Sequence, residues 1–177
     1  MSNVKWAIDP AHSEVQFKVK HLMISTVTGN FTQFEGGIEQ EGADFSNAKI
    51  NFSANVASIN TGNEQRDGHL KAADFFDAEN HPNMTFASST IEKKDDSNYL
   101  VHGDLTIRGI SKPVVLTVEH TGIAKDPWGN EKAGFNLSGK LNRNDWNLSW
   151  NAPLEAGGVL VSEEVRLLAE IQLAKAN

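Results

Sequence analysis

The feature that most limits what this chain can become is alternation. Val15, Phe17, Val19 and His21 share one parity, and Glu14, Gln16, Lys18 and Lys20 share the other. The same two-residue period returns in Ile50, Phe52, Ala54 and Val56, in Val101, Leu105 and Ile107, and in Val114, Leu116 and Val118. It appears again in Phe135, Leu137 and Leu141, and finally in Val165, Leu167, Ala169, Ile171 and Leu173. Side chains a strand apart by two residues lie on one face, so each run reads as a half-buried strand with one wet side. With residues 4–8, 30–40 and 83–94 included, about eight or nine strands are expected, joined largely by Gly, Asp and Asn turns. Repeated strands of this kind, without long helices, must close on themselves or stack as two sheets. The run 49–61 alone would extend roughly 40 Å at ~3.3 Å per residue. Eight such strands make a tall barrel whose interior is filled by side chains or holds one small guest.

One helix is expected, about 62–73. Thr61-Gly62-Asn63-Glu64 has the spacing of a capping box, in which Thr61 and Glu64 would satisfy free backbone N–H groups. It should stop before Asp74-Phe75-Phe76-Asp77, and a second short turn is expected within 142–150. No repeat, low-complexity tract or linker interrupts the 177 residues, so residues 1–177 read as one domain.

Composition narrows the chemistry. The chain carries 16 Lys plus Arg against 23 Asp plus Glu, for a formal net charge of -7, which disfavours nucleic acid and anionic membrane surfaces as partners. With no cysteine, disulfides, Cys-type zinc sites and thiol catalysis are excluded. No apolar stretch has the length of a membrane span, so no stable membrane insertion is expected. As written, the start lacks a secretion signal's apolar core, which points to the cytoplasm, or to the periplasm if a leader had been removed.

No catalytic residue or metal site is expected. The six histidines show neither H-x-H nor H-E-x-x-H spacing, and G-x-S-x-G, G-x-G-x-x-G and P-loop motifs are absent. Residues 99–108 and 113–121 should form a hairpin through Gly109-Ile110-Ser111-Lys112. Parity then turns His102 outward and His120 inward, so they share no metal. An inward histidine is either a hydrogen-bonded core residue or a polar contact to a ligand, and His21 faces the same two readings. Arg66, His69 and Lys71 lie together on the expected helix, as a solvated face offset by Glu64 and Asp67 or as a cationic mouth for an anionic head.

Several blocks together carry a specific resemblance. Trp6-Ala7-Ile8-Asp9-Pro10-Ala11-His12-Ser13 precedes the strand ending Lys20-His21-Leu22, then come Gly29-Asn30-Phe31, Arg66-Asp67-Gly68-His69-Leu70-Lys71 and Asp74-Phe75-Phe76-Asp77. Pro82-Asn83-Met84-Thr85-Phe86, Gly103-Asp104-Leu105-Thr106-Ile107-Arg108-Gly109 and Lys112-Pro113-Val114 follow in order. The chain resembles the YceI-like family across nearly its whole length. The resemblance implies an all-β, elongated, eight-stranded antiparallel lipocalin-like barrel with one or two short helices at its ends. It also implies a polyisoprenoid or similar long-chain lipid inside, no settled enzyme activity, no cofactor beyond that lipid, and frequent homodimers. Where the family more usually has Phe then Gly, this chain has Trp146-Asn147, and the larger indole should reshape the cavity.

On this reading the lipid is lined by Val15, Phe17, Val19, Phe52, Val56, Phe86, Leu105, Ile107, Leu116, Phe135, Leu137, Leu167 and Ile171, with Trp146 beside it. Phe75 and Phe76 partly close one end. His21, Arg66, His69 and Arg143 are the residues expected at a polar head. The competing reading is a carbohydrate- or partner-binding β-sandwich that uses Trp128, Trp146 and Trp150 as exposed stacking platforms.

Overall fold

The computed structural model describes residues 3–22, 24–42, 44–148 and 161–176. Its strands are β1 (Val4–Ile8), β2 (Glu14–His21), β3 (Ser25–Phe31), β4 (Phe34–Gln40), β5 (Lys49–Asn55) and β6 (Ile59–Asn60). After helix α1 (Glu64–Lys71) come β7 (Asn83–Lys93), β8 (Asn98–Ile107), β9 (Ile110–Lys125), β10 (Glu131–Asn142) and β11 (Val161–Lys175). All pairings are antiparallel, and the ring β1-β4-β5-β7-β8-β9-β10-β11 closes where β1 meets β11. The result is a closed eight-stranded antiparallel barrel. Closure removes the open edges that a sandwich retains, and with it goes the sandwich alternative.

The eight runs are unequal. β9 and β11 span 16 and 15 residues without a break and extend about 50 Å. The first three runs are each interrupted near mid-height. Pro10–His12 forms a 3-10 turn between β1 and β2, both of which pair with β11. Thr32 and Gln33 separate β3 from β4, so 30–40 is not one strand. The expected 49–61 strand likewise ends at Asn55, gives way to a 3-10 turn over Val56–Ser58, and resumes only as β6. Periodicity runs through these breaks because the turns keep apolar residues inside, which is why alternation alone does not reveal them.

Each break is satisfied by hydrogen bonds. The Asp9 N–H donates to Gln172 O at 2.8 Å, and the Gln172 N–H donates to the Ser13 hydroxyl at 2.9 Å. Thr32 N–H donates to Ser58 O, and Val56 N–H to Pro82 O. Backbone groups that leave one ladder therefore find partners nearby, as buried groups must.

Two other expectations shift. The helix cap is Asn63, whose side chain accepts from the Arg66 N–H at 2.9 Å, and not Thr61. Thr61 bonds instead to Asp67, by its N–H at 2.9 Å and its hydroxyl at 2.5 Å. The β8–β9 hairpin turns on Arg108 and Gly109 alone, with Ile107 opposite Ile110. Both have positive φ, 55° and 75°, the geometry that matches a two-residue loop to strand twist. The turn expected in 142–150 is present as a 3-10 turn over Arg143–Trp146.

Core packing seals the end of the barrel where β4 joins β5. Phe45 is buried there against Trp6, His120 and Phe135, with the last two ring centroids 5.1 and 5.0 Å away. Beside it the Ser46 hydroxyl, the Ser46 N–H and Lys93 Nζ hold the Asp44 carboxyl down at about 2.

Candidate functional site

Two cavities occupy the barrel, one above the other. The upper, about 150 Å³, is walled almost wholly by hydrocarbon and aromatic side chains. The lower, about 550 Å³, opens between α1, the ends of β2 and β3, and the Arg143–Trp146 turn. Phe31, Met84 and Leu167 border both.

Most expected lining residues face one chamber or the other. Val15, Phe52, Phe86, Leu105, Leu116, Phe135, Leu137 and Ile171 face the upper chamber, and Leu167 faces both. Phe17, Val19, Ile107, Phe75, Phe76 and Trp146 face the lower one. Val56 does not line either: it lies in the 3-10 turn, 1% exposed, packed within the wall. It is inside, as its parity predicts, but the strand has already ended there and its side chain packs in the core and not against either chamber.

Why the rings leave a lumen is a matter of glycines. Phe17 on β2 stands opposite Gly29 on β3, and a Cβ on Gly29 would come within 2.6 Å of Phe17 Cε1 and 2.9 Å of Thr61 Cγ2. Phe86 lies over Gly103 in the same way, 2.6 and 2.8 Å from the position a Cβ would take. Both rings fold flat along the wall into space that only a missing side chain provides. Gly29→Ala should therefore push the Phe17 ring into the lower chamber. The expected cost is about 1–3 kcal/mol of overpacking, read by chemical denaturation, with a smaller lower cavity in a crystal structure. A variant of unchanged stability with Phe17 in place would refute the account.

The four residues expected at a polar head, His21, Arg66, His69 and Arg143, all border the lower chamber, joined by Lys20. Among the described residues no carboxylate lines it, although the chain carries a net charge of -7. The cations differ in what else they do. Arg66 donates from Nε to the Thr61 hydroxyl and from Nη2 to Thr61 O, both at 2.7 Å, which ties the helix to the end of β6. His69 lies edge-on to Phe75 and 3.5 Å from Asp74.

Arg143 departs furthest from expectation. Only 5% exposed, it donates from Nε to Ser162 O at 2.9 Å, from Nη2 to Val161 O at 3.2 Å and from Nη1 to Leu148 O. Burial pushes its pKa down, partly countered by Glu163. Its guanidinium thus fastens the turn after β10 to the start of β11, and the structure gives it a positioning role at the chamber floor. Next to it Trp146, 2% exposed, donates from Nε1 to Leu105 O at 2.9 Å. Asn147 follows with φ 59°, the left-handed conformation that glycine adopts most readily and asparagine tolerates.

Other histidines follow their parity. His120 stacks on Phe135 at 4.7 Å and its Nδ1 is 2.9 Å from Gly134 O, so it is a half-buried, hydrogen-bonded residue of the inner face. His102 faces out, 3.7 Å from Glu92. Among the described residues no group of three His, Cys, Asp or Glu side chains could hold a metal. No helix there is long and apolar enough to cross a membrane. Of the tryptophans expected as platforms, Trp146 is buried and Trp128 is 82% exposed at the β9–β10 hairpin tip, while Trp150 lies outside the described residues.

Phe31, Met84 and Phe45 are wall residues outside the set expected from sequence. Phe31 shares parity with Val27 and Gly29, and Met84 with Phe86, so alternation carried the signal for both. Phe45 sits in a loop, where no period exists to follow.

A closed antiparallel barrel with an apolar lumen and a basic rim defines a lipocalin-like protein. The chain belongs to the YceI-like family, whose domain model matches residues 6–173. A Staphylococcus epidermidis UPF0312 protein is 37% identical over 98% of this chain and 99% of its own length. The Campylobacter jejuni YceI protein is 36% identical over 89% of this chain and 90% of that one, with a TM-score of 0.77. Burkholderia cenocepacia BcnA, at 24% identity and TM-score 0.79, covers 93% of this chain and 98% of its own. A polyisoprenoid binding domain from Saccharophagus degradans, at 14% identity and TM-score 0.68, covers 97% and 98%. The last two show the shared fold.

Proposed function

We propose that this protein binds a long-chain amphipathic lipid, an isoprenoid or a similar chain, and carries or sequesters it without chemical change. One observation supports this above all: the inward strand positions wall two largely apolar chambers inside the barrel. Apolar surface removed from water contributes roughly 25 cal/mol per Å², and a tube covers a chain on every side. The polar end would rest at the lower mouth near Lys20, His21 and His69, where no lining carboxylate among the described residues opposes an anionic head. Polyisoprenoid binding by the Saccharophagus degradans domain agrees with this reading.

Solvent extraction of the purified protein followed by mass spectrometry should yield an amphipathic lipid at about one per chain. Protein stripped and then offered farnesol should take it up. A clean extract together with no uptake overturns the proposal.

A further inference from the structure

We infer that Phe31, Met84 and Leu167 form a neck that limits how much of a bound chain the barrel can bury, an inference that rests on the carrier reading above. Among the described residues these are the side chains common to both chambers, and they come from β3, β7 and β11, which stand at separate places around the wall. A constriction made from three directions closes a tube, whereas one bulky residue would leave a path around it.

The neck has a fixed part and a movable part. Phe31, 4% exposed, is braced by Phe76 edge-on at 6.1 Å and by Phe17 at 5.9 Å. It is also the last residue of β3, directly before the break at Thr32 and Gln33. Met84 stands opposite Ala54 on β5 and is unbranched, the side chain best able to change shape in a packed interior. Leu167 is only partly buried, against Phe17 and Gly139 in the neighbouring strands.

Volume then sets the consequence. An apolar cavity of about 150 Å³ accommodates a benzene-sized guest, which is all the upper chamber offers. By the same measure the lower chamber holds a chain of roughly twenty carbons. Carbons beyond that gain burial only by displacing Met84 and Leu167, and otherwise stay in water at the mouth. Affinity should therefore rise with chain length and then level off, with the neck setting the plateau.

The test is a ladder of prenyl alcohols, farnesol, geranylgeraniol and solanesol, competed against a fluorescent fatty-acid probe on wild type, Met84→Ala and Leu167→Ala. Wild type should gain affinity from farnesol to geranylgeraniol and nothing further with solanesol. Either widened variant should bind solanesol at least about tenfold more tightly than wild type and should prefer solanesol to geranylgeraniol, which wild type does not. Leu167→Ala provides the answer if Met84→Ala does not fold, as judged by thermal melting. Wild type that binds solanesol about tenfold more tightly than geranylgeraniol overturns the neck, as does a ladder unchanged in a folded variant. If wild type binds none of the three, the carrier reading itself fails and the neck with it.

Discussion

Replacing Trp146 with alanine should destabilise the protein by about 3–5 kcal/mol, the range for deleting a large buried aromatic. The indole is one of the most deeply buried side chains described, and it connects two elements far apart in sequence through its bond to Leu105 O. Removing it takes away the packing and leaves that carbonyl without its donor. Trp146→Phe should restore most of the packing and retain only the cost of the lost hydrogen bond, about 1 kcal/mol. It should also enlarge the lower chamber, because Trp146 lines it. Denaturant titration of the three proteins measures the first effect, and crystallography or uptake of a bulkier guest measures the second. Equal midpoints for Trp146→Ala and wild type would remove the indole from any structural role.

Arg143→Ala should cost about 3 kcal/mol or more. Hydrogen bonds from a charged donor are worth roughly 1.5–3 kcal/mol each, and the guanidinium serves Ser162, Val161 and Leu148 together. Relief from holding a cation out of water offsets part of that sum, which is why the expected loss is below the simple total. Arg143→Lys keeps the charge but has no planar fork to span separate carbonyls, and it should recover less than half. If Arg143 served a ligand head instead, alanine would leave stability within about 0.5 kcal/mol and weaken binding alone. Unfolding curves in the absence of lipid separate the two roles. Trp146 and Arg143 share one short turn, so their effects are not expected to add.

How much of this was legible beforehand depends on what kind of order each residue obeys. Alternation placed Phe17, Leu105, Phe135 and Ile171 on the inner wall, since a strand has a period of two and the barrel interior is the only dry side. It also assigned His120 to the inside and His102 to the outside, and the structure agrees. Val56 is inside as expected but away from the lumen, because a turn can bury a residue without keeping it in the strand's register. The cap passed from Thr61 to Asn63 because both residues are chemically able to cap, and Asp67 claimed the Thr61 hydroxyl only once the chain had folded.

The roles of Arg66 and Arg143 were beyond the reach of sequence for a related reason. A basic side chain reads alike whether it meets solvent, a ligand or a carbonyl. The approach of β11 to the Arg143–Trp146 turn supplies the Val161 and Ser162 oxygens that hold Arg143, beside that of Leu148. Local pattern therefore determined the strands and their inner faces, because both follow from the geometry of a few consecutive residues. The barrel class is implied by the family resemblance and shown by the pairing of β1 with β11. The break of three runs near mid-height, the division of the lumen into two chambers and the employment of the cations were decided by tertiary structure. Those depend on which distant atoms come within a few ångströms, and no period along the chain encodes that distance.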